Sequence, residues 1–257
     1  MPNIEDSQNI VEVKDISFSY GDNEILKDIS FAVPKGDYLG IIGPNGAGKT
    51  TLLKIMLGLL RPAKGSINLF GKDVKEFKDW SKIGYVPQKA TNFDVGFPAT
   101  VHEVVLMGRY ARVGLTRRVT EEDHRKAMHA LDQVEMSALH NRLIGELSGG
   151  QQQRVFIARA LATEPEIIFL DEPTVSVDEQ ARNDFYSLLK KLNKDEGLTL
   201  VLISHDVEMV MKEVKHIACV DKILICHNLP EEFIRKTELS QPLRGEVRII
   251  THRHKSQ

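Results

Sequence analysis

The sequence predicts an α/β fold in which a parallel sheet is flanked by helices and interrupted by an inserted helical segment. Three observations lead there. "DYLGIIGPNG" is a solid apolar run that ends in glycines and precedes a helix; "EIIFLDEP" and "LTLVLISHD" are two further buried strands with a helix between them; and from about residue 89 to 145 strand character gives way to helix. Strands joined through a helix in this way form a parallel sheet, because parallel neighbours need a long crossover.

The elements follow in chain order. "IVEVKDISFSY" alternates apolar and polar residues, "EILKDISFAV" is a second strand, and "DYLGII" reads as a strand buried on both faces. "TTLLKIMLGLL" is apolar nearly all round, which predicts a helix packed inside the domain. "IGYVPQ" is a shorter strand ending at Gln88. In the helical stretch, Thr100 with Glu103 makes a capping box and Thr120 with Asp123 a carboxylate variant, each marking a helix start. Ser148 with Gln151 makes a third, opening a helix whose apolar face is Val155, Ile157, Ala158, Leu161 and Ala162. A later helix aligns Ala181, Phe185, Leu188, Leu189 and Leu192 and closes at Gly197. "HIACVDKILICHN" forms two short strands about a turn at Asp221 and Lys222. The last thirty residues hold a charged helical piece, then an alternating strand with a frayed end.

The 257 residues and 42% apolar content support one large α/β domain, or a core with a subdomain. A formal net charge of −2 gives no reason to expect a nucleic-acid partner. Neither an apolar run near 18 residues nor a signal-peptide pattern occurs, so the chain is expected in the cytoplasm. Cys219 and Cys226 lack a zinc-site spacing and read as small core hydrophobes in a reducing compartment.

"GPNGAGKT" fits GxxxxGK[ST] in the setting its chemistry needs, after a buried strand and before a helix. Gly43, Pro44, Asn45, Gly46, Ala47 and Gly48 form a loop whose backbone N–H groups turn inward, and the helix N-terminus adds favourable potential for an anion. Lys49 neutralises β- and γ-phosphates, Thr50 offers a hydroxyl to Mg²⁺, and Thr51 is a further phosphate donor.

Ligands of an open parallel sheet bind beyond the carboxyl ends of its strands. Asp171 is placed there to hold Mg²⁺ through hard oxygen ligation, and Glu172 to orient or deprotonate an attacking water. His205 follows another strand, where it can donate a hydrogen bond to a γ-phosphate. Tyr20, at the end of an early strand, can stack on adenine or serve as a core aromatic.

Taken together, "GPNGAGKT", "LSGGQ", "IIFLDEP" and "SHD" resemble the nucleotide-binding subunits of ABC transporters over 10–228. The resemblance implies a P-loop NTPase core with an antiparallel β subdomain, core segments at about 10–88 and 146–228, a helical subdomain at about 89–145, and a C-terminal extension, 229–257. It further implies ATP and Mg²⁺ as cofactors and two copies closing head to tail, so that Ser148, Gly149, Gly150 and Gln151 of one copy meet the ATP held by the other. Within that resemblance Tyr20 is the adenine contact, Gln88 the glutamine sensing Mg²⁺ and the membrane partner, and Asp178 the D-loop aspartate. Glu172 is then the catalytic glutamate and His205 the switch histidine. Ser176 departs from the small or apolar residue often seen there, and the late hairpin lacks the family's common glycine.

"GYVPQKATNFDVGFPATVHEVVLMGR" and "DEPTVSVDEQ" resemble the branch importing zinc or manganese, zinc being favoured. That implies integral membrane permease subunits, an extracytoplasmic metal-binding protein, and a peripheral place on the cytoplasmic face of the cell membrane. An ABC exporter subunit and a soluble iron–sulfur-assembly ATPase are the alternatives. Phe93, Phe97 and Pro98 either receive a permease or pack the insertion. Arg109, Arg112, Arg117 and Arg118 read as a solvated face, with lipid headgroup contact as the second reading, and His252 and His254 as part of a charged chain end.

Overall fold

The computed structural model describes residues 8–88, 97–114, 118–173 and 179–230. Phe93, Arg117, Ser176, Asp178, His252, His254 and the helix and strand expected near the C-terminus lie outside these residues.

Two sheets organise the chain. Asn9–Tyr20 (β1), Asn23–Pro34 (β2), Lys64–Leu69 (β4) and Lys72–Asp73 (β5) form an antiparallel sheet in the order β2-β1-β4-β5. The short strands β4 and β5 occupy a stretch to which the sequence assigns no element. The second sheet contains Tyr38–Ile42 (β3), Ile83–Val86 (β6), Ile167–Asp171 (β7), Thr199–Ile203 (β8), His216–Asp221 (β9) and Ile223–Asn228 (β10), ordered β10-β9-β3-β8-β7-β6. All its pairings are parallel except β9 with the edge strand β10.

Period-2 alternation in β3, β7 and β8 divides the core. Leu39, Ile41, Ile167, Phe169, Val201 and Ile203 face the antiparallel sheet and the helix Lys49–Met56 (α1). Tyr38, Ile42, Ile168, Leu170, Leu200 and Leu202 face the helices Gly149–Leu161 (α5), Glu179–Asp195 (α6) and Val207–Glu213 (α7). The same apolar cluster continues into Val101–Leu106 (α2) and Glu121–Gln133 (α4) through Val101, Val104, Ala127 and Leu131, with the single turn Tyr110–Val113 (α3) between them. All three expected capping boxes are formed, at Thr100, Thr120 and Ser148.

Three expectations are corrected. The helix expected through Leu60 ends at Met56, because Gly58, at φ 68, closes a Schellman turn: its N–H donates to Ile55 O and that of Leu59 to Lys54 O. Leu59 is consequently exposed. Cys219 and Cys226 are packed apolar residues, as expected, but they are also direct cross-strand partners, 5.0 Å apart at Cα, and are joined as a disulfide. Spacing alone cannot reveal this, since the pairing depends on hairpin register. Arg109 is not on a solvated face: only 5% exposed, it donates to Asp123 Oδ1 at 2.9 Å, Ala162 O at 2.7 Å and Glu164 Oε2 at 3.3 Å. Arg112 also pairs with Glu164, at 3.0 Å.

In the late hairpin, Lys222 takes the left-handed conformation, φ 60, which a glycine adopts at least cost. Its N–H donates to Ala47 O at 3.3 Å, and its carbonyl accepts from Lys27 N–H at 2.8 Å.

Candidate functional site

Strand β3 empties into the loop 43–48, whose shape depends on its glycines. A Cβ on Gly43 would stand 2.0 Å from Val220 O, so β9 backs the loop directly. Gly46 and Gly48 have φ of 80 and 93, a region costly for residues with a Cβ. Gly48 is the N-cap of α1, with no side-chain cap and no acidic residue in the first turn, so the helix end presents backbone donors and positive potential. A pocket of about 280 Å³ lies here, lined by Ile25, the loop from Asn45 to Thr51, and Glu172.

Lys49 curls back over the loop, its Nζ donating to Gly43 O at 2.9 Å and Pro44 O at 3.0 Å. Its side chain is 4% exposed and stands 3.9 Å from Glu172 Oε1. Burial lowers the Lys49 pKa, against the opposing pull of Glu172 and Asp171. Thr50 donates to Asp171 Oδ1 at 3.0 Å. Burial raises the Asp171 pKa; the Thr50 bond works against this and the charge of Glu172 with it. A hydroxyl and a buried carboxylate thus converge beside the loop, a hard-oxygen donor set that fits Mg²⁺.

Glu172 is the hub of the site. Its Oε2 accepts from Gln88 Nε2 at 3.0 Å and lies 3.6 Å from His205 Nδ1, an ion pair only when the imidazole is protonated. The Glu172 backbone sits at φ 44 while its N–H donates to Ile203 O at 3.0 Å, tying the exit of β7 to the end of β8. The His205 turn has its own support: Ser204 Oγ accepts from Asp206 N–H at 3.0 Å and meets Tyr186 Oη at 3.3 Å, while Arg182 pairs with Asp206 at 3.1 Å.

The structure therefore gathers Lys49, Thr50, Gln88, Asp171, Glu172 and His205, with Thr51 in the pocket wall. Tyr20 is not among the lining residues; its ring is exposed and meets Phe18 edge-on at 4.8 Å. The Ser148–Gln151 turn is also outside this pocket. Ser148 N–H donates to Gln151 Oε1 at 3.1 Å and Gln151 N–H to Ser148 Oγ at 3.4 Å, leaving Ser148 and Gly149 exposed at the start of α5. Sequence reasoning passes over Gln152 and Gln153. Both are buried: Gln152 donates to Ile144 O and Leu147 O, and Gln153 to Pro173 O, next to Glu172. The glutamine run gives no sequence signal for which amides turn inward.

Comparison with known proteins gives consistent results. The family model described as ABC transporter matches residues 26–175. The zinc uptake system ATP-binding protein ZurA of Listeria monocytogenes is 47% identical over 226 residues, covering 88% of each chain. The manganese transport system ATP-binding protein MntB of Bacillus subtilis is 46% identical over 198 residues, 77% of this chain and 78% of that one. Among solved structures, the cbiO1 subunit of Clostridium perfringens, part of the cbiONQ transporter complex, superposes with a TM-score of 0.79 at 28% identity, covering 90% of this chain and 93% of the other. A dimeric bacterial ABC transporter cassette gives 0.72 at 30% identity, over 86% and 98%. The chain belongs to the ABC transporter family, as one of its ATP-binding and ATP-hydrolysing subunits.

Proposed function

We propose that this chain powers a metal-cation importer, with zinc the favoured cargo and manganese second, through ATP-driven closure of two copies. The observation that carries the closure is the separation within one chain of a built phosphate site from a helix start at which Ser148 and Gly149 are exposed. The helix start offers the same kind of backbone donors as the loop but lies outside the loop's pocket, and a second copy brings a phosphate to it. The likeness to zinc and manganese uptake subunits supports the cargo.

In this reading the loop from Gly43 to Gly48 wraps the phosphates, Lys49 leaves the Gly43 and Pro44 carbonyls to neutralise β- and γ-oxygens, and Thr51 donates to phosphate. Thr50, Asp171 and Gln88 would hold Mg²⁺, which when bound supplies positive charge beside the phosphates. Glu172 orients the attacking water and accepts its proton. His205 donates to the γ-phosphate, and Tyr20 stacks on adenine.

No helix among the described residues is long and apolar enough to cross a membrane. We place the subunit peripherally on the cytoplasmic face, beneath permease subunits and working with an extracytoplasmic metal-binding protein. Phe97, Pro98, Met107 and Tyr110 are exposed on the helical segment and suit the permease contact.

The test has two parts. Glu172→Gln with ATP runs as a dimer in gel filtration, and a protein that remains monomeric both alone and with its permease overturns the closure. A deletion strain grown across limiting zinc, manganese and iron fails first on zinc; failure on none of them overturns metal import.

A further inference from the structure

We propose that Gln153 is a positioning residue for Glu172, linking the start of the Ser148 helix to the glutamate of the phosphate site. The proposal rests on the reading of Glu172 given above. Gln153 is 1% exposed and precedes the buried Val155, Phe156 and Ile157 on α5. An apolar side chain of the same size would fill that space, and burying an amide is costly unless it is hydrogen-bonded. Its Nε2 donates to Pro173 O.

That acceptor matters because of the residue it follows. Glu172 has a left-handed backbone, φ 44, for a residue with a Cβ and a following proline, a combination that neighbouring structure must hold in place. Pro173 has no N–H, so it contributes no main-chain donor of its own. The main chain of Glu172 is pinned ahead by its N–H on Ile203 O and behind by Gln153 on Pro173 O. With both pins in place, the carboxylate meets Gln88 and stands near Lys49 and His205.

Gln153 lies five residues beyond Ser148 on the same helix, and a helix moves as a rigid rod over that distance. A shift of the Ser148–Gly150 end when it takes the partner's ATP is therefore transmitted to the carbonyl of Pro173, one residue beyond Glu172. Each closure event thus bears on the glutamate of the other site.

Steady-state ATP hydrolysis by Gln153→Met, combined with Glu172→Gln in a double-mutant cycle, tests the proposal. A displaced glutamate lowers kcat by about 10- to 100-fold, with KM for ATP within about 2-fold. In the Glu172→Gln background the same change has no further effect on single-turnover hydrolysis, because there is no base left to position. Unchanged kcat, a rise in KM alone, or an equal fractional loss in both backgrounds overturns it. If Gln153→Met is insoluble, Gln153→Leu with urea unfolding separates lost stability from lost turnover, and a kcat that tracks only the folded fraction also overturns it. Failure of Glu172→Gln on its own to lose hydrolysis would instead sink the reading of Glu172, whatever Gln153 does.

Discussion

Gln88 and Glu172 are joined across the exits of β6 and β7 by a single hydrogen bond, Nε2 to Oε2 at 3.0 Å. The bond uses the amide nitrogen of Gln88 and leaves its oxygen for a cation, so a ligand that draws Gln88 away removes one donor from Glu172 while Lys49 and His205 stay near it. We expect Glu172→Gln to retain nucleotide binding and to reduce hydrolysis by about 10²- to 10⁴-fold, the usual contribution of a positioned base. Phosphate release and binding of a fluorescent ATP analogue measure the two quantities separately.

Lys49 is held by two carbonyls of its own loop. Lys49→Ala should weaken ATP binding by at least about 100-fold, given the strength of charge-assisted bonds in a buried site. Lys49→Arg should not restore it, since a planar guanidinium cannot make the tight curl onto Gly43 and Pro44. Isothermal titration with ATP checks both, and an arginine variant with native affinity would contradict the geometry.

Two glycines of the loop separate steric from conformational demands. Gly43→Ala drives a methyl into the Val220 carbonyl and should give a protein that neither binds ATP nor keeps native stability. Gly46→Ala meets nothing within 4 Å and bears only the left-handed backbone, costing about 1 kcal/mol. Thermal unfolding of both variants should show the first far more damaged than the second.

Arg109 and Asp123 form a buried pair at 2.9 Å, both side chains 6% exposed. Arg109→Met leaves Asp123 Oδ1 and Ala162 O without the Arg109 donor and the buried carboxylate without its counter-charge, and should cost about 3–5 kcal/mol in urea unfolding. The Asp123 pKa is lowered to about 2, first by the Thr120 backbone N–H, then by its hydroxyl and by Arg109. A carboxylate with a depressed folded value stabilises the fold above its ordinary pKa of 3.8 and loses that contribution as pH falls through about 2. Asp123→Asn should therefore unfold more easily than the native chain at pH 5, the two converging near pH 2.

How much of this could be read from the sequence follows from how local each signal is. The phosphate loop, the capping boxes and the buried strands were legible because each is written in a few adjacent residues. The Cys219–Cys226 pairing, the burial of Arg109 and the inward turn of Gln153 were not, because each depends on a partner at a distance: a hairpin register, a carboxylate on α4, a carbonyl after β7. The early end of α1 lies between these cases. Gly58 was visible, but the apolar residues after it masked its role as a stop.

The tip of the β9–β10 hairpin carries a consequence for what the chain can tolerate. Surface turns ordinarily absorb extra residues without harm. At Lys222 the backbone is stitched through its N–H to Ala47 and through its carbonyl to Lys27. One inserted amino acid would break one stitch or drag the other, distorting the nucleotide cradle from behind. Epitope tags, circular permutation points and natural insertions should be absent from this bend, however accessible its side chains are.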